Sequence, residues 1–278
     1  MAKGRNLETY TDFERSIKNG YGKGEGKNYK PWIRVQDVPS KGNSAKIQGI
    51  KSGREHHTLS EGESCFFYLA EDCDSIVDIR EQFPLLPLDL SVKIAKHLDI
   101  KHPKNPNSKH CNVMTFDFML TRTNDKNTWY KAISVKPLNN FLPSNKNRQR
   151  IAEKLELERV WCELLEITYH IFVMTEENRI QSENIQWLTS SVRRNERFNN
   201  EKIYQQAINY LDQGTYLLPE LCLTFEAEFQ LTTEQVMRLF KELVVNRCIE
   251  VDLSKSIVES EMINITKVSK NKDEKYAG

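Results

Sequence analysis

Six cysteines (Cys65, Cys73, Cys111, Cys162, Cys222, Cys248) are scattered with no CxxC pair among them, which excludes a zinc ribbon and argues against a disulfide scaffold. No apolar run approaches the ~18–20 residues that cross a bilayer, so no membrane role is expected. The opening Met1-Ala2-Lys3-Gly4-Arg5 has no apolar core behind it, and a cytoplasmic protein is the expectation. Net charge is nearly absent: 40 Lys plus Arg against 39 Asp plus Glu leave +1 over 278 residues. A globally basic nucleic-acid binder does not have that balance. Glycine is scarce beyond the first segment, with eight of eleven before Thr58 and four within residues 20–26. No GK[ST] ending and no strong apolar strand accompany that cluster, so it is not a Walker loop. It reads as an irregular basic arm after a short helix near residues 9–18.

What the chain does have is charge in blocks. Residues 1–57 hold 12 Lys or Arg against 6 Asp or Glu, residues 61–90 hold 8 acidic residues and one Arg, and residues 91–110 hold five Lys against Asp99. Basic flanks around an acidic centre suit a metal site set between surfaces that grip phosphate. Solvated faces give the same pattern.

Periodicity and breakers divide the chain in two. Residues 45–50 and 54–57 predict a hairpin, and Ser60 with Glu63 three residues on predicts a capped helix through residues 65–70. A strand is expected over residues 75–82, a helix over 88–98, and a second hairpin from 113–120 and 129–135 with its turn at 121–128. A long helix at 145–165 and a strand at 169–174 follow. The expectation is an α/β domain, residues 1–185, whose mixed sheet is flanked by helices. Three helices at 201–211, 217–229 and 232–246, then short strands at 248–253 and 262–266, give the winged-helix order for an α+β domain, residues 186–278, ending in a Lys-rich tail.

The chemistry is expected where a helix carboxylate, a strand carboxylate and a strand-end lysine meet: Glu63, Asp117 and Lys136. Hydrolysing a phosphodiester takes acidic ligands for a divalent metal, an activated water and a cation against growing phosphoryl charge. Antiparallel neighbours ~5 Å apart place Asp117 beside Lys136, and a packed helix brings in Glu63. This is the logic of a restriction-endonuclease-like fold. An exposed strand-end lysine and a turn-capping aspartate would leave the same trace. His56 and His57 read as structural or surface residues, Trp32 and Trp187 as core. Lys27, Lys30, Arg34, Arg54, Lys101 and Lys104 are candidate phosphate contacts.

Longer stretches carry a resemblance. Residues 26–32, 35–40, 56–60, 100–103, 135–137, 153–159 and 183–188, and above all Asp78-Ile79-Arg80-Glu81-Gln82-Phe83-Pro84-Leu85-Leu86-Pro87, resemble the TnsA family. These are endonuclease subunits of the heteromeric transposases of Tns-type bacterial transposons. The resemblance implies a Mg²⁺-dependent nuclease, with Mn²⁺ able to substitute, that cuts transposon-end DNA at the 5′ ends. It also implies an integrase-like transposase subunit that cuts and joins the 3′ ends, and an AAA+ ATPase regulator coupled through the C-terminal region. Glu63 and Asp117 fall on the family's acidic metal ligands, Lys136 on its catalytic lysine and Glu158 on a further acidic position. Ser134 stands where the family often has glutamine, with the Val135 carbonyl as the adjoining ligand. A stand-alone restriction-like or repair nuclease, and a catalytically weak adapter subunit, are the competing readings.

Overall fold

The computed structural model describes residues 4–38, 43–124 and 126–270, and the chain divides into two compact units, Met1–Met174 and Thr175–Gly278. In the first, Thr9 caps α1 (Tyr10–Lys18) in a reciprocal box with Asp12. β1 (Ala45–Gln48) and β2 (Glu55–Thr58) form the expected hairpin. Ser60 opens α2 (Glu61–Asp72), its Oγ accepting the Glu63 N–H at 3.2 Å. Then come β3 (Ile76–Pro84), α3 (Leu88–His97), β4 (Thr115–Asn124), β5 (Asn127–Lys136), α4 (Arg148–Leu164) and β6 (Thr168–Val173). The sheet runs β3-β4-β5-β6 and is antiparallel except for β5–β6, the pair that α4 joins as a crossover.

Helices cover both faces. Phe118 packs on Phe66 of α2, ring centroids 5.1 Å apart, while the adjacent Met119 joins Ile94 of α3 and Leu157 and Trp161 of α4. This mixed sheet with flanking helices fits the expected restriction-endonuclease-like fold. Among the described residues, no helix is long and apolar enough to cross a membrane.

Local expectations change in two places. Most of residues 121–128 is strand, because β4 and β5 stay paired down to Asn124 and Asn127, with the Arg122 guanidinium 5.7 Å over the Trp129 ring. The glycine-rich segment is not a free arm. The Gly22 N–H donates to the Lys30 carbonyl at 2.7 Å, the Tyr29 hydroxyl donates to the Glu81 carbonyl at 3.0 Å, and Tyr21, Tyr29 and Trp32 are buried. Gly22 has φ of 75°, and a Cβ there would lie 2.4 Å from Pro84.

The second unit starts before the expected boundary of 185/186. Polar residues 181–193 belong to α5 (Glu176–Arg193), which is followed by α6 (Glu201–Tyr210), β7 (Gly214–Leu217), α7 (Leu218–Phe229), α8 (Thr233–Val245), β8 (Ile249–Val251), α9 (Ile257–Ser260) and β9 (Met262–Val268). Sheet order is β7-β9-β8. β7 went unpredicted because four residues carry no period. Of the expected Lys-rich tail, residues 271–278 lie outside the described residues. α5 belongs to this core. Leu188 clusters with Leu239, Phe240 and Leu243 of α8, and the Asn184 amide donates to the Leu253 and Lys255 carbonyls while accepting the Ile257 N–H. A fragment of residues 175–278 is therefore expected to melt cooperatively by circular dichroism. One starting at residue 200 forfeits Leu188, a contact worth about 2–5 kcal/mol, along with the Asn184 bridge, and should not.

Candidate active site

Glu63 stands in the first turn of α2, 7% exposed. The preceding Gly62 lets that turn approach β5, since a Cβ there would lie 3.1 Å from Val135 Cγ1. Glu63 Oε2 accepts from the Leu59 N–H at 2.8 Å and the Gln82 amide at 3.1 Å, and Oε1 from the Ser60 hydroxyl at 3.0 Å. Burial first, and the Asp117 charge second, push its carboxyl up to about 7 against the pull of those hydrogen bonds.

Asp117 lies where the sheet loses regularity. Backbone pairing of β4 with β5 runs from Asn124–Asn127 to Phe118–Ile133 and stops, although both strands continue. Beyond that point the Val135 N–H donates to Asp117 Oδ2 at 2.6 Å. A side chain has taken the ladder's donor. Phe116 consequently packs on Trp161 and Tyr169 of the α4 side, while Phe118, two residues on, packs on α2. Lys136 Nζ donates to Asp117 Oδ2 and to the Val135 carbonyl, each at 2.9 Å. Burial pulls its pKa down, but Asp117 and Glu158 outweigh that, so it is raised and the ammonium stays charged.

The structure thus brings Glu63, Asp117, Val135 and Lys136 together. Ser134 and Glu158 form an adjoining pair: the Ser134 hydroxyl donates to Glu158 Oε2 at 2.5 Å and the Tyr169 hydroxyl donates to the same oxygen at 2.8 Å. Burial raises the Glu158 pKa against the pull of Lys136. Ser134, expected as a metal ligand, is 1% exposed and its hydroxyl proton is directed at Glu158. Among the described residues no three His, Cys, Asp or Glu converge on one point. The donors on offer are two carboxylates and a backbone carbonyl, all hard oxygens of the kind Mg²⁺ and Mn²⁺ prefer. Lys136 Nζ bridging two of them shows that this pocket of oxygens accepts positive charge.

Residues 73–174 match the family model for the TnsA-like endonuclease N terminal, and residues 178–253 match that for the TnsA endonuclease C terminal. The transposon Tn7 transposition protein TnsA of Escherichia coli is 34% identical over 264 residues, covering 92% of this chain and 91% of that protein. The chain belongs to the TnsA endonuclease family.

In this family member, the six candidate phosphate contacts separate by environment. Lys27, Lys101 and Lys104 are exposed. Lys30 is exposed but donates to the Asn19 carbonyl at 2.9 Å, and Arg34 is held by Asp37 at 3.3 Å. Arg54 is engaged within the fold. Its guanidinium donates to both oxygens of Glu81, at 2.8 and 2.6 Å, and to the Ile79 carbonyl at 2.9 Å, with the side chain 9% exposed. His56 and His57 join it: His56 Nδ1 lies 2.8 Å from Glu81 Oε2, and the His57 N–H donates to Oε1 at 3.1 Å. A buried ion pair occupies the place where a DNA contact was expected. Gln82 was assigned no role from sequence, although it lies inside the run that most resembles the family.

Proposed function

We propose that this chain is the metal-dependent endonuclease subunit of a heteromeric transposase, hydrolysing the phosphodiester at the 5′ ends of a bacterial transposon while an integrase-like partner cuts and joins the 3′ ends. The observation that carries the proposal is the meeting of Asp117, Val135 and Lys136, where β4 and β5 part, within electrostatic reach of Glu63. Glu63, Asp117 and the Val135 carbonyl would hold the metal; Mg²⁺ or Mn²⁺ bound there supplies Lewis-acid polarisation of the scissile phosphate and a more acidic attacking water. Lys136, protonated and unable to ligate, places its ammonium against charge that grows on the phosphoryl oxygens. Val135 N–H and Lys136 Nζ both orient Asp117.

End cleavage by the assembled subunits, assayed in Mg²⁺, Mn²⁺ and chelator, tests this. Lys136→Ala should slow cleavage by roughly 10²–10³-fold, the usual loss of one charge-stabilising donor. Metal affinity should hold, since the substitution frees an Asp117 oxygen. Cleavage that survives chelation would overturn the metal dependence, and a collapse of metal affinity in Lys136→Ala would make that lysine structural.

The second unit reads as a winged helix that docks protein. Its α6-β7-α7-α8-β8-α9-β9 order and the central place of β9 in the sheet support the topology. The docking role rests on α8, whose cations are engaged. Arg238 pairs with Glu234 at 2.8 Å, and Lys241 donates to Ser190 at 2.9 Å above the Trp187 ring. Burial and then Arg194 pull the Lys241 pKa down to about 8. The apolar side of α8 is filled within the unit by α5 and the small sheet. Among the described residues of this unit, Tyr210, Leu217, Leu223, Val258 and Met262 are the large apolar residues left exposed. The 175–278 fragment should therefore bind the AAA+ regulator and not duplex DNA. Salt-steep DNA binding at physiological ionic strength, or no binding to the regulator, would overturn this.

A further inference from the structure

We infer that Gln82 is a positioning residue, holding the Glu63 carboxylate for its metal through an amide that the strand delivers by adopting a left-handed backbone. The inference rests on the proposed role of Glu63 as a metal ligand.

Gln82 lies inside β3 with φ of 48°. The other positive-φ residues with side chains, among those described, follow helices or sit in loops. A side-chain-bearing residue in this region costs about 1–2 kcal/mol, a cost that glycine would remove. Filling space does not account for it, since an ordinary strand residue would fill space without strain. The amide is what the position gains.

Both ends of that amide are used. Gln82 is 2% exposed; Nε2 donates to Glu63 Oε2 at 3.1 Å, and Oε1 accepts from the Thr115 hydroxyl at 3.1 Å. Its backbone carbonyl accepts the Trp32 N–H at 3.2 Å, which anchors the residue from a third side. Glu63 takes its remaining bonds from Leu59 and Ser60, at the start of its own helix. Gln82 thus ties the carboxylate to the sheet that carries Asp117. It sits between the pairs Glu81–Phe118 and Phe83–Phe116, hence level with Asp117 on β4. A glutamate has three side-chain torsions; anchored only to its helix, it would follow the helix and not the strand that bears the second carboxylate. Bonds of this kind to a metal ligand typically govern metal affinity by about 10–100-fold.

The test uses the full chain without DNA and reads bound Mn²⁺ from the electron paramagnetic resonance amplitude of the free ion, alongside a thermal melt. Gln82→Met keeps the volume and removes both hydrogen bonds; it should melt cooperatively and bind Mn²⁺ about 10–100-fold more weakly. Thr115→Val leaves Gln82 in place but frees one end of its amide, and should fall between Gln82→Met and the native chain. A folded Gln82→Met that binds Mn²⁺ as tightly as the native chain overturns the inference. If Gln82→Met does not fold, unchanged affinity in Thr115→Val overturns it. Glu63→Gln separates the two claims. Affinity lost in Glu63→Gln but kept in Gln82→Met defeats the positioning role alone, whereas no Mn²⁺ binding by the native chain, or none lost in Glu63→Gln, defeats the metal-ligand role and this inference with it.

Discussion

Asp117→Ala is expected to abolish 5′-end cleavage in the assembled transposase, by roughly 10²–10³-fold or more, and to leave the chain folded. The carboxylate accepts from both the Val135 N–H and the Lys136 ammonium, through the same oxygen. Removing it takes away a proposed metal ligand and the carboxylate that pairs with Lys136. It also strands the Val135 N–H, at a cost of about 1–3 kcal/mol if water does not replace the acceptor. Asp117→Asn separates the two effects. Its amide oxygen still accepts from Val135, so stability should recover while cleavage stays lost. Cleavage of labelled transposon ends within about tenfold of the native rate would contradict the assignment, since that factor is only ~1.4 kcal/mol of barrier.

Glu81→Gln should be the most destabilising conservative change in the first unit. Glu81 is fully buried and accepts from Arg54 twice, from His56 and from the His57 N–H. The amide leaves the Arg54 charge without its counter-charge in a buried place, which typically costs 3–5 kcal/mol, about 10 °C in melting temperature for a unit of this size. Burial alone would raise the Glu81 pKa; Arg54 and His56 overcome it and hold the carboxyl at about 2, below the ordinary 4.5. A carboxyl depressed on folding contributes stability that is complete above the unfolded value and is lost as pH falls through the folded one. The native melting temperature should therefore drop between about pH 4.5 and 2, and Glu81→Gln should lack that part of the slope. Thermal melts across this range check both claims; a variant that melts like the native chain at pH 7 would show that the ion pair is dispensable.

The sequence by itself determined what depends on near neighbours. Ser60 with Glu63 marked the start of α2, because an N-cap hydrogen bond is closed within one turn. The alternation of helices and strands through residue 174 followed from periodicity, and two hydrophobic runs joined by a turn were enough to set Asp117 beside Lys136. The tertiary structure decided whatever depends on a distant partner. Arg54 and Glu81 are 27 positions apart, and nothing local distinguishes an arginine that pairs with a buried glutamate from one that waits for phosphate. Nor does anything local to Ser134 announce that α4 brings Glu158 to its hydroxyl. The expected boundary at 185/186 fell inside α5 because that helix's buried stripe, Ile185 and Leu188 with Asn184, acquires meaning only against α8 and the Leu253–Ile257 loop. The parting of β4 from β5 and the left-handed Gln82 are likewise invisible in residue types. Both arise where side chains outbid the regular backbone ladder, and that competition is settled only once the strands are side by side.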